Sequence, residues 1–355
     1  MEFMETMKHI PRLVVLELTR RCNLRCVHCR ASADRNGLCD ELDTEEWFRL
    51  LRDIASFSKP IIILSGGEPL LREDVFDIIT YGKKIGLTMT LSTCGVTLTE
   101  QAVAKLKESG IGRVSVSIDG KDAVTHDFIR QQKGVYDAAL GAIELLKKYG
   151  VGFQINTTVT KYNFKYLDDI LKSAIDLGAV SFHPFFLVPV GRARDLKDFQ
   201  LSASEYEWSL KRLYELTSGA PIHCRPICAP HYFRIYSDAE GALKDNPSGR
   251  TSLDAMTAGC LGGKSFAFVS SSGKVQICGF LEVECGDLKQ DDFPKIWRDS
   301  AVFNNLRNFS KYKGKCNVCE YVGLCGGCRA RAYEATGDYL EEEPECTYQP
   351  LKARC

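Results

Sequence analysis

From residue 13 onward, short runs rich in β-branched and apolar residues alternate with segments whose apolar positions recur at helical spacing. The runs are LVVLEL, IIIL, TMTLS, RVSVSI, GFQINTTV and SFHPFFL. Between them, DTEEWFRLLRDIASF and YDAALGAIELLKKYG carry one apolar stripe each, and DTEE opens with a capping residue and acids in the first turn. The pattern predicts repeated βα units up to about residue 217, with parallel strands joined by right-handed crossovers. A doubly wound sheet is the competing arrangement. Six units in series favour an α/β fold of another kind, a partial (β/α)6 barrel of the TIM type, in which chemistry gathers at the C-terminal ends of the strands.

The alternation ends near TSGAPIHCRP, which suggests a boundary dividing residues 1–217 from a smaller unit at 218–355. Cysteine usage changes at the same place. Of sixteen cysteines, five precede residue 100 and eleven follow from Cys224 onward. Lys plus Arg balances Asp plus Glu at 46 each, so no basic field points to nucleic acid or to a membrane surface. MEFMETMKHIPR has no apolar signal core, and no run of 18 apolar residues occurs. The expectation is a cytoplasmic chain that uses its cysteines for metal and not for disulfides.

The densest chemistry lies just after the first run. Cys22, Cys26 and Cys29 stand at C-x3-C-x2-C spacing, and three thiolates on one loop suit a metal centre with one position left open. Completion by Cys39 as a closed zinc site is the alternative. Other candidates fall at the ends of later strands. SGGEP, with Gly66, Gly67 and Glu68, follows strand two. STCG with Cys94 follows strand three, SIDG with Ser117 and Asp119 ends strand four, and Asn156 to Thr158 lie within strand five. Taken alone, GGEP is an ordinary strand-to-helix turn; shared placement on one rim raises the functional reading.

CNLRCVHC, with His28 before the third cysteine and GGEP after the next strand, resembles the radical S-adenosylmethionine (SAM) superfamily. That resemblance implies a [4Fe–4S] cluster held by Cys22, Cys26 and Cys29, whose fourth iron binds the methionyl amine and carboxylate of SAM. It further implies that Gly66, Gly67 and Glu68 hold the amine, that Ser117 and Asp119 lie near the ribose, and that Arg130 meets the carboxylate. An exposed helix arginine is the plainer reading of Arg130. A low-potential electron donor is the implied partner.

The cysteines after residue 218 are similar to SPASM or twitch-type extensions, which bind auxiliary iron–sulfur clusters. The resemblance implies one cluster on Cys316, Cys319, Cys325 and Cys346, and part of another on Cys260, Cys278 and Cys328. Cys285, Cys224, Cys228 or a non-cysteine ligand remains open as the fourth. The four-cysteine run ends in C-x2-C where the family has C-x3-C, and a zinc ribbon is the alternative. Cys94 reads as a buried thiol and Cys355 as a tail residue.

HCRASAD, HCRPICAPHYFRI, GLCGGCRARA and EPEC are similar to the tetrapyrrole-processing members, specifically the haem synthases of the sirohaem-derived pathway. The relatives of those synthases in the sirohaem and haem d1 branches often carry Tyr after the third cysteine, where this chain has Arg30. The implied reaction is oxidative decarboxylation of two propionates of iron-coproporphyrin III to vinyls. An iron-porphyrin substrate needs cationic anchors, for which Arg192, Arg194, Arg225 and Arg234 are candidates. His183 and His231 are candidates for an iron ligand or a donor to the reacting carboxylate. Three alternatives stand beside this reading: a related enzyme of tetrapyrrole side-chain removal, a peptide-modifying maturase, and a non-catalytic electron carrier. The dozen residues before the first run leave no room for the leader-binding appendage a maturase would favour.

Overall fold

The structure is a computed structural model that describes residues 9–240 and 259–351. Cys355 lies outside the described residues. The six apolar runs form β1 (Leu13–Glu17), β2 (Ile61–Ser65), β3 (Thr88–Thr93), β4 (Arg113–Ser117), β5 (Phe153–Val159) and β6 (Ser181–Phe186). They pair in chain order and all in parallel, with Leu13 opposite Ile61 and Ile61 opposite Thr88. A doubly wound sheet reverses its direction of winding. An unbroken order from β1 to β6 keeps every crossover helix on one face, and such a sheet curls into a partial barrel.

The helices follow the apolar stripes. In the N-terminal half they are α1 (Thr44–Phe57), α2 (Val75–Lys84), α3 (Glu100–Glu108), α4 (Ala123–Arg130), α5 (Val135–Lys148), α6 (Leu167–Asp176) and α7 (Ala203–Thr217). α1 starts at a reciprocal cap. The Asp43 carboxylate accepts from Glu46 N at 2.9 Å, and the Glu46 carboxylate accepts from Asp43 N at 2.9 Å. It buries Trp47, Leu50, Leu51 and Ile54, a spacing that places all four on one face. Fully burying each such side chain contributes about 1.5–3 kcal/mol. The core fills the space between these helices and the outward side chains of the strands, such as Val14, Leu16, Ile62, Val114 and Phe182. The alternate strand positions face the barrel interior and are more polar.

Four further strands lengthen this sheet where the sequence pattern showed only a separate cysteine-rich segment. β7 (His223–Cys224) adds beside β6, and β8 (Phe266–Val269) adds parallel to β1 on the other edge. β9 (Lys274–Cys278) and β10 (Leu281–Asp287) continue outward in antiparallel pairing. The described sheet thus runs β10-β9-β8-β1-β2-β3-β4-β5-β6-β7, with both edges supplied from beyond residue 218. These runs escaped notice because no helical stripe follows them in the repeating order that marked β1 to β6. The remaining helices are α8 (His231–Glu240), α9 (Phe293–Asp299), α10 (Ala301–Arg307), α11 (Gly314–Val318) and α12 (Arg329–Thr336). No helix among the described residues is long and apolar enough to cross a membrane.

Candidate functional site

The loop after β1 brings Cys22, Cys26 and Cys29 together, with Cys22 and Cys26 buried beside Leu24, Ala31, Ala33 and Val135. Cys39, the alternative zinc ligand, is exposed. Burial raises the Cys22 thiol to about 11. It also raises Cys26, against the opposing pull of Arg130. The loop is fixed from three sides. Val27 N donates to Ile129 O at 3.1 Å, and Arg130 Nη1 approaches Cys26 Sγ at 3.7 Å. Arg192 donates to Cys26 O at 2.8 Å and Ala33 O at 2.7 Å. Gly191 packs so tightly on this loop that an added Cβ would lie 2.3 Å from Arg30 O.

The GGE segment is stitched to the same loop, with Gly67 N donating to Thr19 O at 2.7 Å and Glu68 N to Arg21 O at 2.8 Å. A Cβ on Gly67 would stand 2.3 Å from Arg21 O, so this glycine is required by close backbone approach. The Glu68 carboxylate is fully buried and accepts from Thr93 Oγ1 and Cys94 N, each at 2.9 Å. Cys94 is buried as the sequence suggested, and it packs among the loop cysteines. Its thiol is pushed well up by burial, with Glu68 adding to the rise.

Arg130 does not stand on the surface. It is buried at the end of α4 and pairs with Asp119, its Nη2 lying 2.7 Å from Asp119 Oδ2. Asp119 Oδ1 accepts from Thr158 N at 2.7 Å, and Asp119 N donates to His126 Nδ1 at 2.9 Å. Burial would raise the Asp119 carboxyl, but the Arg130 charge, His28, His126 and the Thr158 amide together outweigh it and the net shift is downward. Burial lowers His28 and His126 to about 4 each, so both rings are neutral at pH 7. Ser117 ends β4 opposite Asn156 of β5, which puts SIDG and the Asn156–Thr158 segment on one rim.

The remaining candidates separate. Arg192 is committed to the cysteine loop, as described. Arg194 is exposed and meets Glu334 at 3.3 Å. Arg234 is buried against Glu207 at 2.6 Å. Arg225 keeps company with His183 and His223 near the barrel interior. His183 lies 3.0 Å from Gln154 Nε2, and burial, with Arg225 adding to the effect, lowers it to about 3. His231 lies elsewhere, in the wall of a cavity it shares with Cys316, Cys319, Cys325 and Cys346.

That cavity gathers the four cysteines expected to act together. Arg329 Nη2 approaches Cys316 Sγ at 3.7 Å. A second group comprises Cys260, Cys278 and Cys328, whose thiols lie within electrostatic reach of one another through Cys278. Between the groups, Cys260 N donates to Cys325 O at 2.9 Å. Arg30 spans from the first loop to this region. Its Nη1 lies 3.0 Å from Glu17 Oε1 and 3.3 Å from Gly279 O, next to Cys278, and its guanidinium caps the Phe268 ring at 4.7 Å.

The residues fit iron–sulfur clusters and SAM. At the first site, Arg130 Nε and His28 Nδ1 are buried without a hydrogen-bond partner and adjoin the three thiols. At the four-cysteine cavity, both ring nitrogens of buried His231 lack a partner. Such orphaned polar atoms suit a bound polar group.

Two residues escaped the sequence reading altogether. Arg331 and Glu343 are buried and paired at 2.9 Å, and Glu343 Oε2 accepts from Cys328 N at 2.5 Å. Burial would raise the Glu343 carboxyl; the Arg331 guanidinium, with His231 and the Cys328 amide, outweighs it and holds the group below its ordinary value. A signal existed in RARA, where arginines alternate with alanines that are themselves buried, leaving no polar helix face.

Comparison with known proteins matches residues 16–174 to the radical SAM superfamily, and residues 260–328 to SPASM, an iron–sulfur cluster-binding domain. A protein of Methanosarcina barkeri (strain Fusaro / DSM 804) named AdoMet-dependent heme synthase is 48% identical over 350 residues, covering 98% of this chain and 100% of that one. A second protein of that organism, named Fe-coproporphyrin III synthase, is 30% identical, covering 94% of this chain and 87% of its own length. Among solved structures, Streptococcus suis SuiB bound to S-adenosylmethionine superposes with a TM-score of 0.75 at 16% identity, covering 96% of this chain and 78% of that one. The last of these is a likeness of fold.

Proposed function

The chain belongs to the radical SAM superfamily, in its SPASM-bearing branch, and on that premise we propose that it converts two propionates of iron-coproporphyrin III to vinyls, forming haem b. It is an enzyme whose cofactors are a [4Fe–4S] cluster working with SAM and auxiliary iron–sulfur clusters. The carrying observation is the full-length relationship at 48% identity to the AdoMet-dependent heme synthase.

We keep the division into residues 1–217 and 218–355 for the two tasks. Cys22, Cys26 and Cys29 hold the first cluster. Gly66, Gly67 and Glu68, Ser117, Asp119 and Arg130 form the SAM pocket. In this reading Asp119 acts through Arg130, which it orients toward Cys26. Cys316, Cys319, Cys325 and Cys346 hold one auxiliary cluster, and Cys260, Cys278 and Cys328 contribute to another. When bound, these groups supply a hydrogen-abstracting 5′-deoxyadenosyl radical and acceptors for single electrons.

The substrate reaction needs three losses per propionate. A hydrogen atom leaves the carbon next to the ring, the carboxylate departs as carbon dioxide, and one electron leaves to complete the vinyl. Arg225 is assigned to anchoring a carboxylate, and His183, neutral at pH 7, to a hydrogen bond on the same inner face. Arg192 holds the cysteine loop in place and is assigned no contact with substrate.

The test is an anaerobic assay of the reduced enzyme with SAM and iron-coproporphyrin III, followed by mass spectrometry. A mono-vinyl intermediate should precede haem b, with one SAM cleaved per propionate. Sirohaem and didecarboxysirohaem assayed alongside separate the related tetrapyrrole reactions. Turnover of either one, with no carbon dioxide lost from iron-coproporphyrin III, would overturn the assignment.

A further inference from the structure

We propose that Cys228 supplies the fourth thiolate of the second auxiliary cluster, so that this cluster fastens the two opposite edges of the sheet to each other. The proposal rests on the reading that Cys260, Cys278 and Cys328 hold iron–sulfur, and it adds the ligand that reading lacked.

Three cysteines were open for the part, and their surroundings differ. Cys285 sits in β10, its Sγ 3.7 Å from Val283 O. Its other neighbours are Ser300, Arg307 and Glu284, and none is a thiol. Cys224 sits in β7 with no thiol acting on it. Cys228 alone of the three has thiols acting on it, that of Cys328 first and that of Cys278 after it.

The backbone at Cys228 points the same way. Its φ is 54°, in the left-handed region that non-glycine residues seldom enter. Such a conformation is strained and persists only where the surroundings hold it. Here two donors hold it, with Arg331 Nη2 at 2.6 Å and Tyr206 Oη at 2.9 Å from Cys228 O. Arg331 is in turn fixed by Glu343, the carboxylate that receives Cys328 N. One buried ion pair therefore sets both Cys228 and Cys328. If the turn alone mattered, glycine would serve it without strain. A side chain retained there at a conformational cost is a side chain in use.

The placement gives the ligand a mechanical meaning. Cys278 closes β9 near one edge of the described sheet, and Cys228 follows β7 at the other. Each thiol releases a proton to solvent as it binds iron, and the bonded cluster then joins segments that no strand pairing connects.

The experiment uses the full-length protein purified without oxygen. Iron, sulfide, electron paramagnetic resonance and melting temperature are compared for wild type, Cys228→Ala, Cys224→Ala and Cys285→Ala. Cys228→Ala should lose about four irons per chain, or keep a three-iron signal in their place, and should melt at lower temperature. Cys224→Ala and Cys285→Ala should match wild type. Wild-type iron and an unchanged spectrum in Cys228→Ala would overturn the fourth ligand alone. Wild-type protein holding zinc at these cysteines would overturn the underlying cluster reading as well. Selenocysteine at position 228 (Cys228→Sec) preserves shape and charge, so folding does not limit it. Hyperfine coupling from isotopically enriched selenium in the reduced protein supports ligation, and its absence refutes it.

Discussion

In the N-terminal half, Cys22, Cys26 and Cys29 share one short loop; in the C-terminal half, Cys228, Cys260, Cys278 and Cys328 arrive from four separate segments. Both places are braced by a buried arginine–carboxylate pair, Arg130 with Asp119 and Arg331 with Glu343. The pairs do different jobs. Arg130 turns its charge on a sulfur, Cys26. Arg331 and Glu343 grip backbone, the Cys228 carbonyl and the Cys328 amide. Where sequence already brings the thiols together, a buried charge is left to tune them. Where folding must collect them, the charge is used to set loop geometry.

The largest effect that tests this contrast is local. Replacing Cys22, Cys26 and Cys29 together with Ala should abolish SAM cleavage, a loss of at least about a thousandfold by product chromatography. The iron bound by the C-terminal cysteines should stay. Cleavage at the wild-type rate in reconstituted protein would break the comparison at its first term.

Next come the two carboxylates. Glu343→Gln leaves the Arg331 charge buried and unpaired, which costs on the order of 3–5 kcal/mol. At about 1–1.5 °C per kcal/mol for a chain of this length, a fall in melting temperature of about 5 °C is expected, accompanied by lost auxiliary iron. Asp119→Asn should destabilise comparably yet keep all its auxiliary iron, because Asn still accepts from Thr158 N. Equal iron loss in both variants would show that the pairs do the same work.

The smallest effect is the share of the pH dependence that His126 carries in the first region. An unfolded chain protonates imidazole near pH 6.5, whereas folded His126 does so only near 4. Between those values the unfolded state binds more protons, so stability should decline as pH falls from about 6.5 toward 4. Full stability from this group returns above about pH 6.5. The expected contribution is about 1–2 kcal/mol between pH 7 and pH 5. His126→Asn keeps an acceptor for Asp119 N without titrating, and denaturant midpoints at the two pH values should show the slope reduced by that amount. An unchanged slope would mean that His126 does not titrate as its burial implies.

The same contrast explains what sequence could disclose. Six strands were legible because each is followed by a helix with an unmistakable stripe, as with α1 behind LVVLEL. The first cysteine site was legible because its three cysteines stand close together in the sequence. β7 to β10 were not, since pairing partners far away in the chain define them. An exposed reading stood beside the pocket reading of Arg130 because only its pairing with Asp119 reveals why a charge is buried at the end of α4. Cys228 stood level with Cys224 and Cys285 for the same reason. Nothing in HCRPIC says which cysteine adopts the strained backbone.

The pairing of β1 has a further consequence, one of timing. β1 borders β2 on one side and β8 on the other, with Leu13 opposite Phe266. A ribosome delivers chain at about 5–20 residues per second. The edge of β1 therefore waits many seconds for Phe266–Val269 after β2 has docked. An exposed strand edge of this kind invites pairing with other chains. Synthesis thus passes through a period in which the half bearing the first three cysteines is assembled but unguarded, and only the emergence of the C-terminal half closes it.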